Sequence, residues 1–139
     1  MSIVADASVV LAWLFEEDQT PKALAVLRLI EHDVLLVPPL WWSELENGVV
    51  MGERRDRKTV TESAAFLKLV RVLPIQTDDV PRHRVSDAVI DIARRHQLTA
   101  YDATYVELAV RESASLATFD AGVRRCASSL ATRVLPARL

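Results

Sequence analysis

Short apolar runs alternate along the chain with longer segments of helical periodicity. Ser2 to Ala5 is brief and apolar, as a buried parallel strand is, and Val9 to Phe15 reads as a short helix. Thr20 and Pro21 open a second helix, because a hydroxyl can cap and proline fits the first helical position; it runs to about Glu31. Val34 to Val37 is a second apolar strand, stopped by Pro38-Pro39, and Leu40 to about Arg55 returns to helical composition. Ala64 to Val72 is helical, and Ile75 centres a third strand. Pro81 opens a helix with Val85, Val89, Ile92 and Ala93 on one face and Arg82, Arg84, Asp87, Asp91, Arg94 and Arg95 on the other. Tyr101 to Arg111 is a further helix, Ser115 to Phe119 a strand, Asp120 to Cys126 a helix and Thr132 to Leu135 a last strand. Alternation of this kind implies an α/β sandwich around a mostly parallel sheet with right-handed crossovers.

One charge interrupts the first of these runs. Between Ser2 and Phe15 only Asp6 can ionise, and an unpaired buried carboxylate is costly enough to demand a partner or a proton. A signal peptide is not expected: no Lys or Arg precedes the run, Ala5-Asp6-Ala7 comes ahead of it, and no later stretch reaches the ~18 apolar residues of a membrane span. The 139 residues suit one domain, which at this size buries roughly two thirds of its unfolded surface. A lone cysteine, Cys126, excludes an internal disulfide and fits a reducing, cytoplasmic setting, where it serves as a small buried apolar group. His32, His83 and His96 stand apart, so there is no zinc spacing. A net charge of −2 argues against a generic nucleic-acid coat; still, among the 17 basic residues only Lys22, Lys58 and Lys68 are lysine, and the rest are arginines suited to phosphate forks.

In a parallel sheet, ligands bind beyond the carboxyl ends of the strands, so acids just after a strand or in the next helix's first turns are those able to converge. Asp6 follows the first strand, Glu44 lies early in the helix after "VLLVPP", Asp102 opens "YDATYVELA", and Asp120 follows "SLATF". Each has apolar or small neighbours, unlike the solvated Glu16-Glu17-Asp18 run or Asp78-Asp79. Taken singly, each could be a helix cap that contributes ~0.3–1 kcal/mol. Ser43 with Glu46 and Thr99 with Asp102 match the capping-box pattern, which leaves Glu44 without a capping role. Four acids at equivalent strand ends are harder to explain as caps. Two carboxylates ~4 Å apart repel by about 4 kcal/mol at an effective dielectric near 20, so a cluster needs protons or a cation. Oxygen-only donors select Mg²⁺ or Mn²⁺ over zinc, and such a site suits phosphodiester hydrolysis.

"VADASVVLAWL" (4–14), "PPLWWSELENGV" (38–49), "LTAYDATYVELA" (98–109) and "LATFDAGVRRCA" (116–127), in that order, resemble the PIN domain family, and more closely the VapC-type toxins of type II toxin–antitoxin pairs. The resemblance spans nearly the whole chain. It implies a single PIN domain over residues 1–139 with a three-layer α/β/α sandwich, and a Mg²⁺-dependent endoribonuclease, with Mn²⁺ as a substitute, acting on structured RNA such as tRNA or rRNA. Asp6, Glu44, Asp102 and Asp120 would be its catalytic, metal-site acids, and Ser8 and Thr118 the hydroxyls that support the first and last. It also implies a cognate antitoxin that wraps an apolar groove, and a homodimer or a heterocomplex with that antitoxin. Glu46, about 200° round the helix from Glu44, is a cap or surface residue.

Arg54-Arg55 with Arg57, Arg94-Arg95 and Arg124-Arg125 are candidate phosphate contacts or solvated helix faces; Arg124 and Arg125 lie within two turns of Asp120. Trp41-Trp42, Trp13 and Phe15 could be core or line a groove for a partner helix, and one Trp of the pair must face away from the other. The alternative function is a non-catalytic PIN-like or receiver-like binding module with an acidic metal pocket. A receiver wants adjacent acids after the first strand and a late lysine, whereas Asp6 is followed by Ala7 and all the lysines lie early. A haloacid-dehalogenase-like phosphatase wants two aspartates spaced by one, where this chain has Asp6-Ala7-Ser8.

Overall fold

A computed structural model describes residues 1–15 and 20–138; the Glu16-Glu17-Asp18 run lies outside the described residues. The apolar runs become β1 (Ser2–Ala5), β2 (Val34–Val37), β3 (Ile75–Thr77), β4 (Ser115–Ala117) and β5 (Val134–Leu135). They form one five-stranded sheet of order β3-β2-β1-β4-β5 in which every pairing is parallel. The helices are α1 (Ala7–Phe15), α2 (Thr20–Ile30), α3 (Pro39–Arg54), α4 (Val60–Arg71), α5 (Arg82–His96), α6 (Ala100–Arg111) and α7 (Ala121–Ser129).

The strand order fixes where the helices go. From β1 the chain steps to β2 and then β3 on one side, returns across the sheet to β4, and continues outward to β5. Right-handed crossovers therefore put α1 to α4 on one face and α5 to α7 on the other. The contacts agree, α1 packing on α2, α3 and α4, and α6 on α5 and α7. This is the α/β sandwich around a parallel sheet expected from the alternation, in the three layers that the family resemblance implies. The direction of winding reverses between β1 and β4, and the crevice at such a switch point is where α/β sheets bind ligands.

The central strands are buried on both faces: Val4, Ala5, Leu35, Val37, Leu116 and Ala117 are all but inaccessible. Trp41 is wholly buried, while Trp42 stands edge-on to it at 4.9 Å and donates its indole N–H to Thr77 Oγ1 at 2.9 Å. The pair divides between core and surface, as adjacency on a helix requires. On α3, Gly48 faces the Leu11 side chain, and a Cβ at Gly52 would lie 2.6 Å from the Phe15 ring, so a larger residue at either position would displace a side chain of α1. At the end of α6, Arg111 forks onto Asp78 at 2.7 and 3.2 Å and reaches Glu107 at 2.8 Å, tying the far edge of the sheet to α6.

Three local expectations change. Helix α4 starts at Val60 rather than near Ala64, because Thr59 and Glu62 form a reciprocal capping box. Ser43 is not a cap: Pro39 already begins α3, Pro38 occupies the cap position with no side-chain bond, and Ser43 and Glu46 are exposed within the helix. Finally, the Thr20 hydroxyl donates to the Ala12 carbonyl at 3.0 Å and so ties α2 to α1. Among the described residues no helix is long and apolar enough to cross a membrane.

Candidate active site

Asp6 is the first residue past β1. Its backbone N–H still continues the ladder, donating to the Ala117 carbonyl at 3.1 Å, which sets Asp6 beside the end of β4. Its carboxylate accepts three hydrogen bonds. Ser8 Oγ and the Val9 N–H, the latter at 3.2 Å, donate to Oδ1, and Thr118 Oγ1 donates to Oδ2 at 2.5 Å. Burial pushes the Asp6 carboxyl above the ordinary carboxylate range, while these donors pull the other way.

Thr118 is completely buried, and its hydroxyl does two things. Besides donating to Asp6 it accepts the Asp120 N–H at 3.2 Å. Asp120 is the N-cap of α7, with Oδ1 accepting the Val123 N–H at 2.8 Å. Cap and cluster member are thus compatible roles, since capping occupies one oxygen only. Asp102 sits in the first turn of α6, where the Thr99 hydroxyl accepts its N–H at 3.1 Å. Burial raises its carboxyl, and the Asp120 and Asp6 charges raise it further.

Glu44 comes from the opposite helical layer, one turn into α3. Tyr105, on α6, donates its hydroxyl to Glu44 Oε1 at 2.7 Å. Burial raises the Glu44 carboxyl; Tyr105 opposes this, and the Asp6 and Asp102 charges add to it. The structure therefore brings the four acids to the carboxyl end of the sheet, at the switch point, with Asp6, Glu44 and Asp102 within electrostatic reach of one another and Asp120 within reach of Asp102. Among the described residues no three His, Cys, Asp or Glu side chains are already gathered to metal-ligand distance. The donor set, all oxygen and carboxylate-rich, fits Mg²⁺ or Mn²⁺ rather than zinc.

Tyr105 was not assigned a place in the site from sequence. The available signal was its spacing: three residues after Asp102, it stands on the same helical face. The two candidate arginines separate. Arg124 donates to the carbonyls of Thr118, Leu135 and Pro136 at 2.8, 3.2 and 2.5 Å, which anchors the tail beyond β5 to the end of β4. Arg125 is exposed, and its guanidinium passes Gly122 next to Asp120. Elsewhere, Arg95 pairs with Asp91 at 3.0 Å on the surface of α5, and Arg57 lies over the Phe15 ring at 4.4 Å.

With that geometry in place, the model of the PIN domain family matches residues 3–128. The chain belongs to the PIN domain family. Among curated relatives, this PIN domain is 34% identical over 118 residues, 85% of each chain, to VapC ribonuclease Mb0985 of Mycobacterium bovis and, equally, to ribonuclease VapC9 of Mycobacterium tuberculosis. Among solved structures, PAE2754 from Pyrobaculum aerophilum shares its fold at a TM-score of 0.66 and 23% identity, over 96% of this chain and 92% of that one. VapBC2 from Rickettsia felis, bound to a DNA fragment from its promoter, matches at 0.69 and 12% identity over 96% and 97%. FitAcB from Neisseria gonorrhoeae matches at 0.60 and 21%, over 99% of both chains.

Proposed function

We propose that this PIN domain is a Mg²⁺-dependent endoribonuclease that cleaves structured RNA, tRNA or rRNA, and is the toxin of a type II toxin–antitoxin pair. The observation that carries this reading is the convergence of Asp6, Glu44, Asp102 and Asp120 at the switch point, where three of them have raised carboxyl pKa values. Relatives named VapC ribonuclease support the activity, and toxin–antitoxin structures of like fold support the partner.

All four acids would hold the ion, which when bound would supply the charge that polarises a phosphate oxygen and acidifies the attacking water. The chain's own residues prepare the place. Asp6 is immobilised by Ser8, Val9 and Thr118, so its orientation needs no adjustment on binding. Asp102 and Asp120 stand at the N-termini of α6 and α7, whose dipoles favour negative charge. Arg125, exposed beside Asp120, is placed to neutralise a flanking phosphate.

The antitoxin would occupy an apolar groove between α1, α2 and α4. It has a volume of ≈ 490 Å³ and is lined by Trp13, Leu24, Leu27, Phe66, Leu69 and Leu73. Leu24 and Leu69 are exposed there, as suits the apolar face of a partner helix. The toxin would form a homodimer or a heterocomplex with its antitoxin. Induced expression with total-RNA end mapping, beside an Asp102→Asn control, tests the reading: discrete new 5′ ends are expected from the wild-type protein alone. Identical end maps from the two proteins would reject it.

A further inference from the structure

Tyr105 is 2% exposed, yet its hydroxyl leaves the core and meets a carboxylate from the opposite helical layer. The contact joins residues 61 apart in sequence, on helices that the crossover rule puts on opposite faces of the sheet. A buried phenol ordinarily finds a polar partner, and a backbone carbonyl would serve. Here the partner is one of the four clustered acids. Among the described residues Tyr105 is the sole side-chain donor to Glu44, whereas Asp6 has two hydroxyls and a backbone amide.

We propose that Tyr105 is a positioning residue for Glu44: its phenol fixes Oε1 and thereby turns Oε2 toward Asp6 and Asp102. Glu44 is the only one of the four acids set inside a helix beyond its first turn, whereas Asp6 follows β1, Asp102 is in the first turn of α6 and Asp120 is the N-cap of α7. A glutamate has three side-chain torsions, and one short hydrogen bond from a rigid buried ring removes most of that freedom. The inference rests on the metal-site reading above. Partners of this kind, which orient a ligand without touching the ion, typically change metal affinity by roughly tenfold to a hundredfold when removed.

The test is Mn²⁺ titration, by calorimetry and electron paramagnetic resonance, of the full chain without RNA, as wild type, Tyr105→Phe, Glu44→Gln and the double variant. Tyr105→Phe is expected to raise the Mn²⁺ dissociation constant roughly tenfold or more, to leave the metal-free melting temperature within a few degrees, and to add little in the Glu44→Gln background. Equal Mn²⁺ affinity in wild type and Tyr105→Phe would overturn the positioning role and leave the metal site standing. Wild-type protein that binds no Mn²⁺ would overturn the metal reading and this inference with it. A second measurement needs no change at Tyr105. The chain has two tyrosines, so with ¹³Cζ-labelled tyrosine and Tyr101→Phe for assignment the Tyr105 resonance is identified directly. Mg²⁺ should move that resonance; a line that stays still at saturating Mg²⁺ overturns the coupling between phenol and site.

Discussion

Thr118 Oγ1 and Asp6 Oδ2 lie 2.5 Å apart although 112 positions separate them in the chain. Because the same hydroxyl accepts the Asp120 N–H, one buried side chain sets the relative placement of two of the acids. Thr118→Val keeps the shape and removes both bonds. A hydrogen bond to a charged group contributes about 1.5–3 kcal/mol, so urea melts should show a loss of that order. RNA cleavage should fall at least roughly tenfold, since Asp6 is no longer held from the β4 side. Unchanged cleavage would show that Asp6 needs only Ser8 and Val9.

Asp6→Asn and Asp102→Asn should abolish cleavage of a defined RNA in Mg²⁺ or Mn²⁺ while circular dichroism shows the fold intact. Chelation by EDTA should do the same to the wild-type protein. Cleavage retained in both variants would remove the acids from the chemistry.

Stability should depend on pH in a specific direction. Burial raises Asp6, Glu44 and Asp102 above their ordinary values of 3.8, 4.5 and 3.8, with neighbouring carboxylates adding to the last two. A carboxyl with a raised folded pKa holds its proton more tightly in the folded chain. Its contribution is therefore complete below about pH 4 and is lost as pH rises through the raised folded value. Without metal, Asp102→Asn should accordingly melt above wild type at pH 7.5, with the difference shrinking towards pH 4. Mg²⁺ should raise the wild-type melting temperature at pH 7.5, and raise it less in the variant. Scanning calorimetry at the two pH values, with and without Mg²⁺, reads all of this; coincident melts throughout would mean that the acids do not interact.

Arg124 and Arg125 are neighbours with opposite expected phenotypes. Arg124→Met strips the donors from three carbonyls and should cost about 1–3 kcal/mol in a denaturant melt. Arg125→Ala should leave the melt unchanged and weaken RNA binding, lowering the slope of log affinity against log salt by about one. Gel-shift titration of a catalytically silent Asp102→Asn background across salt concentrations measures it. A salt slope that falls for Arg124 rather than Arg125 would reverse the assignment.

The elements and the four acids were legible from sequence because their signals are local. Val34–Val37 is apolar and stopped by prolines, Val85 and Val89 keep helical spacing, and Thr99 precedes Asp102 at capping distance. Errors arose where two local patterns competed. Ser43-x-x-Glu46 and Thr59-x-x-Glu62 have the same form, yet Pro39 had already started α3 and only the second became a box. Thr20 faced a similar choice, and proximity of α1 gave its hydroxyl the Ala12 carbonyl.

By itself the sequence determined that strands and helices alternate, that a carboxylate stands past β1 and past β4, and that two more open or enter helices. Periodicity, capping and apolar runs act within a few residues, so they are written in the chain. Only the tertiary structure decided the order β3-β2-β1-β4-β5, which puts β1 beside β4 and makes their ends the switch point. It alone decided that Thr118 serves Asp6, that Tyr105 reaches Glu44 and that Arg124 turns to the tail while Arg125 stays free for solvent. Those bonds join groups from 12 to 112 residues apart, and their partners are chosen by which strands and helices pack together rather than by any spacing in the chain.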